Sequence, residues 1–209
     1  MRTHIIAIAC KKGGTGKTTT TMMLSGELAK RGYKVIVFDT DNTEGATIWD
    51  DYVYEDGKKL PYTVEPMNLH GLNRERLMQK YPDTWIMIDT PASSMDVIQR
   101  AMDISDVTIV PTQPGVADRR QAGMTYNATE NAVVLLTRMR RGTKLSEDAI
   151  HELDGSEITR FETVVHEREA IRRMYGTTST DNEEYASVAE ELIEYVKQLD
   201  QMRENGEEQ

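Results

Sequence analysis

The strongest indication of the fold is an eight-residue stretch near the beginning of the chain, Lys12-Gly13-Gly14-Thr15-Gly16-Lys17-Thr18-Thr19. An apolar run precedes this stretch, and a segment with helical spacing follows it. Glycines there let backbone N–H groups turn inward around an anion, and the following helix adds the positive end of its dipole. The stretch therefore predicts a phosphate-binding loop, and all eight residues are candidate phosphate ligands.

Two side chains at the end of the loop have separate expected roles. Lys17 would reach the β- and γ-phosphates of a nucleotide, and the Thr18 hydroxyl would ligate Mg²⁺. The general pattern G-x-x-x-x-G-K-[ST] has glycine where this chain has Lys11, so the match departs from it at one position. The alternative is a glycine-rich turn that carries lysines by chance, and the number of specified positions in the right context argues against it.

Short apolar runs alternate with helical stretches along the chain. Runs rich in Val and Ile predict buried parallel strands at His4–Cys10, Val35–Asp39, Trp85–Asp89, Val107–Thr112, Ala132–Thr137 and Glu162–His166. Helical spacing predicts helices at Thr18–Arg31, Gly71–Lys80, Asp96–Met102, Asp118–Asn127 and Tyr185–Leu199. The alternation predicts an α/β fold of the P-loop NTPase type, with a mostly parallel twisted sheet flanked by helices on both faces. We expect a single domain over residues 1–209, with residues 204–209 as a frayed polar end.

Composition excludes several classes of protein. The 209 residues are 38% hydrophobic and 29% charged, and no run approaches the roughly 18 apolar residues of a membrane span. No signal peptide is recognised, so a cytoplasmic location is expected. The single cysteine, Cys10, excludes an internal disulfide and a multi-cysteine metal site.

The net charge of −10 is concentrated at one end of the chain. Residues 181–209 hold ten acidic and two basic side chains, so the remainder is close to neutral. A local basic patch is therefore still compatible with nucleic acid. The polar face of the last helix is strongly acidic, which argues against an anionic membrane as a partner.

Two further segments end apolar runs with aspartate. Val35-Ile36-Val37-Phe38-Asp39-Thr40-Asp41 carries two carboxylates two residues apart, and both are expected to point toward the mouth of the loop. Trp85-Ile86-Met87-Ile88-Asp89 is the second such run. Carboxylate oxygens suit Mg²⁺ and its waters. The alternative for Asp39 and Asp41 is a pair of surface turn residues.

The loop resembles the deviant Walker A motif of the ParA/MinD family of ATPases, which reads K-G-G-x-G-K-[ST]. The resemblance implies that Lys12 reaches across an ATP-bound dimer to the nucleotide of the second subunit. It also implies that Lys12, Lys17 and Asp41 are the catalytic residues, with Asp41 positioning the attacking water. Asn42 and Thr43 stand where the family usually has Pro and Gln.

The same resemblance assigns the Mg²⁺ site. Asp39 would support the metal shell, and Asp89 looks like the Walker B aspartate that holds a Mg²⁺-bound water. Together with the Thr18 hydroxyl, these side chains form the expected Mg²⁺ site.

Two later segments resemble family segments at the nucleotide base. Leu136-Thr137-Arg138 is similar to the base loop of small partition ATPases. His166-Glu167-Arg168-Glu169-Ala170 resembles a ParA relative that helps to assemble transferred DNA for conjugative export. The candidate base-binding residues are Thr137, Arg138, His166 and Glu167. For His166 the alternative is a strand-end residue with no ligand role.

Two basic clusters are candidates for DNA contact. They comprise Arg140, Arg141, Lys144, Arg172 and Arg173. The resemblance implies sequence-independent binding of double-stranded DNA by the ATP-bound dimer. The alternative is a solvated face with ion pairs to Glu167 and Glu169.

The resemblance implies a weak, partner-stimulated ATPase with ATP and Mg²⁺ as cofactors. The expected function is plasmid or chromosome partition by an ATP-dependent homodimer that acts with a ParB-like centromere-binding protein and associates with the nucleoid. A closely related alternative is an ATPase that assembles a conjugative DNA-transfer complex. A metabolic P-loop ligase or kinase, and a nucleotide-gated adaptor with negligible turnover, also stay open.

Overall fold

A six-stranded sheet is the centre of the fold in a computed structural model that describes residues 2 to 207. The strands are β1 His4–Ile8, β2 Lys34–Asp39, β3 Thr63–Pro66, β4 Thr84–Asp89, β5 Val107–Thr112 and β6 Ala132–Leu136. They lie in the order β3-β2-β4-β1-β5-β6, and every neighbouring pair is parallel. The carboxyl ends of the strands therefore meet at one edge of the sheet, and β1 and β4 lie in its middle.

Helices cover both faces of this sheet. They are α1 Lys17–Lys30, α2 Gly45–Glu55, α3 Arg74–Lys80, α4 Met95–Ile104, α5 Val116–Tyr126, α6 Lys144–Asp154, α7 Glu169–Arg173 and α8 Glu183–Glu207. Side chains of α1, α2 and α8 share one core cluster, while those of α3 to α6 contribute to clusters on the opposite face. The predicted α/β architecture, with a parallel sheet between two helical layers, is confirmed.

The strands are apolar because both of their faces are covered. Every residue of β1, β4, β5 and β6 is buried. Successive side chains of β1 alternate between the two layers, so Ile6 and Ile8 pack on one side while Ile5 and Ala7 pack on the other. Burial on both faces explains the near-continuous apolar runs from which five strands were predicted.

The sixth predicted strand, Glu162–His166, is wrong. One isolated bridge, between His166 and Met139, falls in this segment, and one hydrogen bond joins it to β6, from the Val165 N–H to the Leu136 carbonyl over 2.8 Å. The carboxylate of Glu191 on α8 accepts hydrogen bonds from the backbone N–H groups of Glu162 (2.7 Å) and Thr163 (2.9 Å). Because a side chain accepts from these two donors, residues 162 and 163 do not form the ladder that a strand requires.

Four elements were not predicted: α2, β3, α6 and α7. β3 is an edge strand that is only partly buried and ends at Pro66, so its sequence lacks an apolar run. Helix α2 did leave a signal, because its buried residues Ala46, Trp49 and Val53 recur at helical spacing. The predicted helix Gly71–Lys80 begins later, at Arg74, where the Asn73 side chain accepts a hydrogen bond from the backbone N–H of Arg76.

The C-terminal helix is longer than expected. α8 continues to Glu207, so residues 204–207 are helical, while residues 208 and 209 of the predicted frayed end lie outside the described residues. Between residues 2 and 207, no helix is long and apolar enough to cross a membrane.

Candidate nucleotide site at the carboxyl edge of the sheet

The predicted phosphate-binding loop connects β1 to α1 at the carboxyl edge of the sheet. Gly14 (φ 76°) and Gly16 (φ 96°) adopt left-handed conformations that strain other residues. Gly16 is also the N-cap of α1, so the dipole of that helix points into the loop. The loop is anchored from β6, because the Thr137 hydroxyl donates to the Thr15 carbonyl over 2.9 Å.

Lys17 is held over this loop. Its side chain is buried, with the residue only 7% exposed, and its ammonium donates to the Lys12 carbonyl over 3.2 Å. An ammonium group beside the N-terminus of α1 gives the loop a local positive potential. The site is therefore suited to a polyphosphate.

A second loop closes over the first. Between β5 and α5, Gln113 donates from Nε2 to the Gly14 carbonyl over 2.8 Å. Asp118 forms an ion pair with Lys12, whose Nζ lies 2.6 Å from the Asp118 carboxylate. The Lys12 ammonium is therefore held by its own chain at the rim of the loop.

Asp89 lies beneath the loop at the end of β4 and is completely buried. Thr21 donates to its Oδ1 over 3.3 Å, while its Oδ2 has no hydrogen-bond partner. Burial raises the pKa of Asp89 to about 7, and the nearby charge of Asp39 adds to this effect, whereas Thr18 and Lys17 oppose it. A buried carboxylate oxygen without a partner is costly, and a cation or its water would satisfy it.

Residues fit for Mg²⁺ are therefore present on the floor of the site. Asp89 offers its unpaired oxygen, and Thr18 belongs to the neighbouring first turn of α1. Within residues 2–207, no group of three acidic, histidine or cysteine side chains could enclose a metal ion. Phosphate and water oxygens would have to supply the remaining ligands, as Mg²⁺ ordinarily requires.

Asp39, predicted to support the metal shell, has a full set of other partners. Its Oδ2 accepts from the backbone N–H groups of Ala46 (2.9 Å) and Thr47 (2.8 Å) and from the Thr47 hydroxyl (3.0 Å). Its Oδ1 accepts from the backbone N–H of Asp41 over 3.1 Å. Asp39 thus fixes the first turn of α2 and the segment that precedes it.

Asp41 lies in that preceding segment, beyond the end of β2. Its carboxylate is half-buried and accepts a hydrogen bond from the backbone N–H of Thr43 over 3.0 Å. Asp39 and Asp41 are therefore not equivalent, since one carboxylate is committed to α2 while the other lies in the loop that joins β2 to α2.

The four predicted base-binding residues come together. Thr137, Arg138, His166 and Glu167 line one cavity of about 230 Å³ that also borders Gly16 and Thr19 of the phosphate loop and α1. His166 is oriented by α8, because its Nδ1 lies 2.8 Å from Glu184 and its backbone N–H donates to the same carboxylate over 2.9 Å. The four residues predicted from sequence therefore form part of the lining of a single cavity.

Another part of the cavity lining was not predicted from the sequence. This part is aromatic and comprises Trp49 from α2, Tyr175 from the turn after α7, and Tyr185 from α8. The Tyr185 hydroxyl is 3.1 Å from the Thr20 hydroxyl, which ties α8 to α1 beside the loop. These residues are far apart in sequence and carry no motif, so no local signal joins them.

The predicted DNA-contacting residues divide into two groups. Arg140 and Arg172 both pair with Glu167, the former over 2.6 Å, and Arg173 pairs with Glu169 over 2.6 Å. Among the residues that the structure describes, Arg141 and Lys144 are exposed and form no ion pair. The ion pairs expected under the alternative are therefore present for three of the five side chains.

Comparison with known proteins agrees with this geometry. Residues 6–180 match the family model described as the CobQ/CobB/MinD/ParA nucleotide binding domain. A ParA protein of Rhizobium radiobacter is 26% identical over 116 residues, which span 54% of this chain and 50% of that protein. The protein VirC1 of the same organism is 26% identical over 185 residues, 82% of this chain and 80% of VirC1.

A solved structure has the same fold. It is a Borrelia burgdorferi protein described as a plasmid partition protein, with AMPPNP bound. Its TM-score is 0.74 at 17% sequence identity, with 93% of this chain and all (100%) of that chain covered. With a glycine-rich loop after its first strand, a buried aspartate at the end of β4 and a family match over residues 6–180, this chain belongs to the CobQ/CobB/MinD/ParA nucleotide-binding domain family.

Proposed function

We propose that this protein is an ATPase that works as a nucleotide switch, dimerises when ATP is bound, and acts in plasmid or chromosome partition. The observation that carries the proposal is the meeting of Lys12, Lys17 and Asp89 around one phosphate-binding loop. The similarity to ParA and VirC1 proteins supports the same assignment.

The binding step follows from the positions of the loop residues. Backbone N–H groups of residues 13–19 would surround the β- and γ-phosphates, and Lys17 would move from the Lys12 carbonyl to a phosphate oxygen. Thr18 and the unpaired oxygen of Asp89 would hold Mg²⁺ and its waters, with Asp39 as a support that fixes α2. Mg²⁺ would neutralise charge on the phosphates.

Hydrolysis would be an in-line attack of water on the γ-phosphate. Asp41, which lies between β2 and α2 and accepts a hydrogen bond from the backbone N–H of Thr43, would orient this water through its carboxylate. Lys17, together with Lys12 of a second copy, would stabilise the charge that spreads over the phosphoryl oxygens. No strong general base lies in this segment, so slow intrinsic turnover that a partner stimulates is expected.

The proposed partners are a second copy of the chain, nonspecific double-stranded DNA and a ParB-like protein. Of the basic candidates, the exposed and unpaired Arg141 and Lys144 are the best placed for phosphate contact. Arg140, Arg172 and Arg173 would have to leave their glutamate partners first. The proposed location is the cytoplasm, on the nucleoid in the ATP state.

The similarity to VirC1 over most of the chain favours one alternative use, assembly of a DNA-transfer complex. The ATPase cycle would be the same, and only the partner would differ. A metabolic ligase or kinase would need an acceptor pocket in addition to the nucleotide cavity.

Fluorescence anisotropy of a random-sequence duplex tests the proposal at low salt, with Mg²⁺ plus ATP or ADP, beside a phosphate-release assay. Binding with ATP and not with ADP, together with measurable phosphate release, is the expected result. Phosphate release without DNA binding in either state would move the assignment to the metabolic alternative. Absence of both would overturn it.

A further inference from the structure

The turn that follows α7 is fastened to the first half of α2. The Trp49 indole donates from Nε1 to the Thr177 carbonyl over 2.9 Å, and the Tyr175 hydroxyl donates to the Gly45 carbonyl over 3.3 Å. The Tyr175 ring lies 5.0 Å from the Trp49 ring and 6.1 Å from the Tyr52 ring, measured between centroids. Two hydrogen bonds and two ring contacts therefore join segments that are about 130 residues apart.

Gly45, the residue that Tyr175 contacts, lies against the phosphate site. A Cβ atom at Gly45 would be 3.2 Å from the Thr18 hydroxyl oxygen, so the start of α2 is packed closely on the proposed Mg²⁺ ligand. The next residues donate their backbone N–H groups to Asp39. Movement of this turn would therefore change the surroundings of Thr18 and the segment that contains Asp41.

Tyr175 also faces the other half of the site. It lines the cavity of about 230 Å³ together with Trp49, Thr137 and Arg138. Trp49 is 1% exposed, whereas Tyr175 is 44% exposed, so Tyr175 is the ring of the pair that a ligand can reach. A planar base in this cavity would contact the Tyr175 ring, whose hydroxyl is hydrogen-bonded to Gly45 at the start of α2.

We propose that Tyr175 is a positioning residue that couples occupancy of the base cavity to the placement of the first turn of α2 beside Thr18. The inference rests on the proposed function, since it takes the occupant to be the base of ATP. A polyphosphate without a nucleoside would fill the loop but would not engage this connection.

Tyr175→Phe tests the proposal, because it removes the hydroxyl and keeps the ring. Tyr54→Phe is the matched control, since Tyr54 is also on α2, is 74% exposed and does not line the cavity. We expect Tyr175→Phe to lower kcat by about three- to tenfold, the effect of one neutral hydrogen bond. The KM for ATP should change less than about twofold, because the cavity wall is retained.

A second readout does not depend on turnover. The chain has two tryptophans, so Trp85→Phe leaves Trp49 as the single reporter. Mg-ATP should change the Trp49 emission clearly more than Mg-tripolyphosphate does. Adding Tyr175→Phe should reduce the response to ATP by about half or more, while Tyr54→Phe should leave it intact.

The possible outcomes distinguish a failure of the proposed ATPase function from a failure of the coupling through Tyr175. If the wild-type chain neither binds nor hydrolyses ATP, the proposed function fails and the coupling fails with it. If ATP is bound and hydrolysed but Tyr175→Phe matches Tyr54→Phe in kcat and emission, only the coupling is overturned. Equal emission responses to ATP and tripolyphosphate would overturn it as well.

Discussion

Lys12 and Asp118 form an ion pair within one chain, with 2.6 Å between Nζ and the carboxylate. Their side chains are 37% and 14% exposed, so the pair lies at the surface of the loop rather than in the core. Since Lys12 is expected to act on the nucleotide of a second copy, this internal contact has to open before it can do so. In the proposed dimer, Asp118 would therefore compete for the Lys12 ammonium.

Asp118→Asn should shift dimerisation to lower protein concentration in the presence of Mg-ATP. A partly exposed ion pair contributes about 1 kcal/mol or less, and one such pair opens in each of the two copies, so the dissociation constant of the dimer should fall by at most about thirtyfold. Sedimentation equilibrium over a range of concentrations measures this shift. A requirement for more protein than the wild type needs would mean that Asp118 stabilises the dimer.

Lys17→Ala should abolish ATP-dependent dimerisation, because the buried ammonium over the loop is the main positive charge for the phosphates. Light scattering with Mg-ATP gives the molar mass directly. Lys34→Ala is the control. Lys34 is an exposed lysine at the amino end of β2, whereas the loop lies at the carboxyl edge of the sheet. A mass shift in Lys17→Ala equal to that of the control would contradict the assignment of the loop.

Asp41→Ala should still dimerise with ATP but should hydrolyse it slowly, with kcat reduced by about tenfold or more, since the water would lose its orienting group. Asp51→Ala, an exposed carboxylate on α2, serves as the control. Phosphate release under saturating ATP is the measurement. Turnover at the wild-type rate in Asp41→Ala would remove the proposed role of this carboxylate.

Asp89 should make the nucleotide-free protein less stable as the pH rises. Burial raises its pKa to about 7 from an ordinary value near 3.8, so between these values the folded state binds more protons than the unfolded state. The free energy of unfolding should then fall with rising pH, by at most about 1.4 kcal/mol per pH unit from this group.

Asp89→Asn removes that dependence. Urea unfolding at pH 4 and pH 8 should give a variant that gains stability relative to the wild type only at the higher pH, about 1 kcal/mol or more. Mg-ATP should stabilise the wild type and not the variant. A difference between the two proteins that is the same at both pH values would contradict the raised pKa.

The DNA candidates can be ranked by their ion pairs. The double substitution Arg141→Ala with Lys144→Ala should weaken ATP-dependent DNA binding and reduce the slope of log K against log salt by about 0.9 for each lost phosphate contact. Arg173→Ala, which removes a residue paired with Glu169, should change the slope less. Anisotropy titrations at several salt concentrations provide these slopes, and the reverse order would assign DNA contact to the paired cluster.

Local sequence predicted the elements that are buried on both faces. β1, β4 and β5 are near-continuous apolar runs because nothing on either face of them meets water, so their positions followed from composition alone. Elements at the edge of the sheet were not predicted. An example is β3, whose residues are partly exposed and which ends at Pro66. The segment Glu162–His166 has a strand-like composition, but the Glu191 carboxylate of α8 takes two of its backbone donors.

The phosphate loop and the family could be identified from local sequence, because the residues of the loop are contiguous and their spacing alone makes a phosphate-binding motif. Three features depend on tertiary contacts: the ion pair of Lys12 with Asp118, the hydrogen bonds that join Asp39 to α2, and the aromatic side of the cavity formed by Trp49 and Tyr175. Each of these depends on side chains that the crossovers of a parallel sheet bring together from distant parts of the chain. A contact of that kind leaves no local pattern, since the residues on either side of it are free to vary.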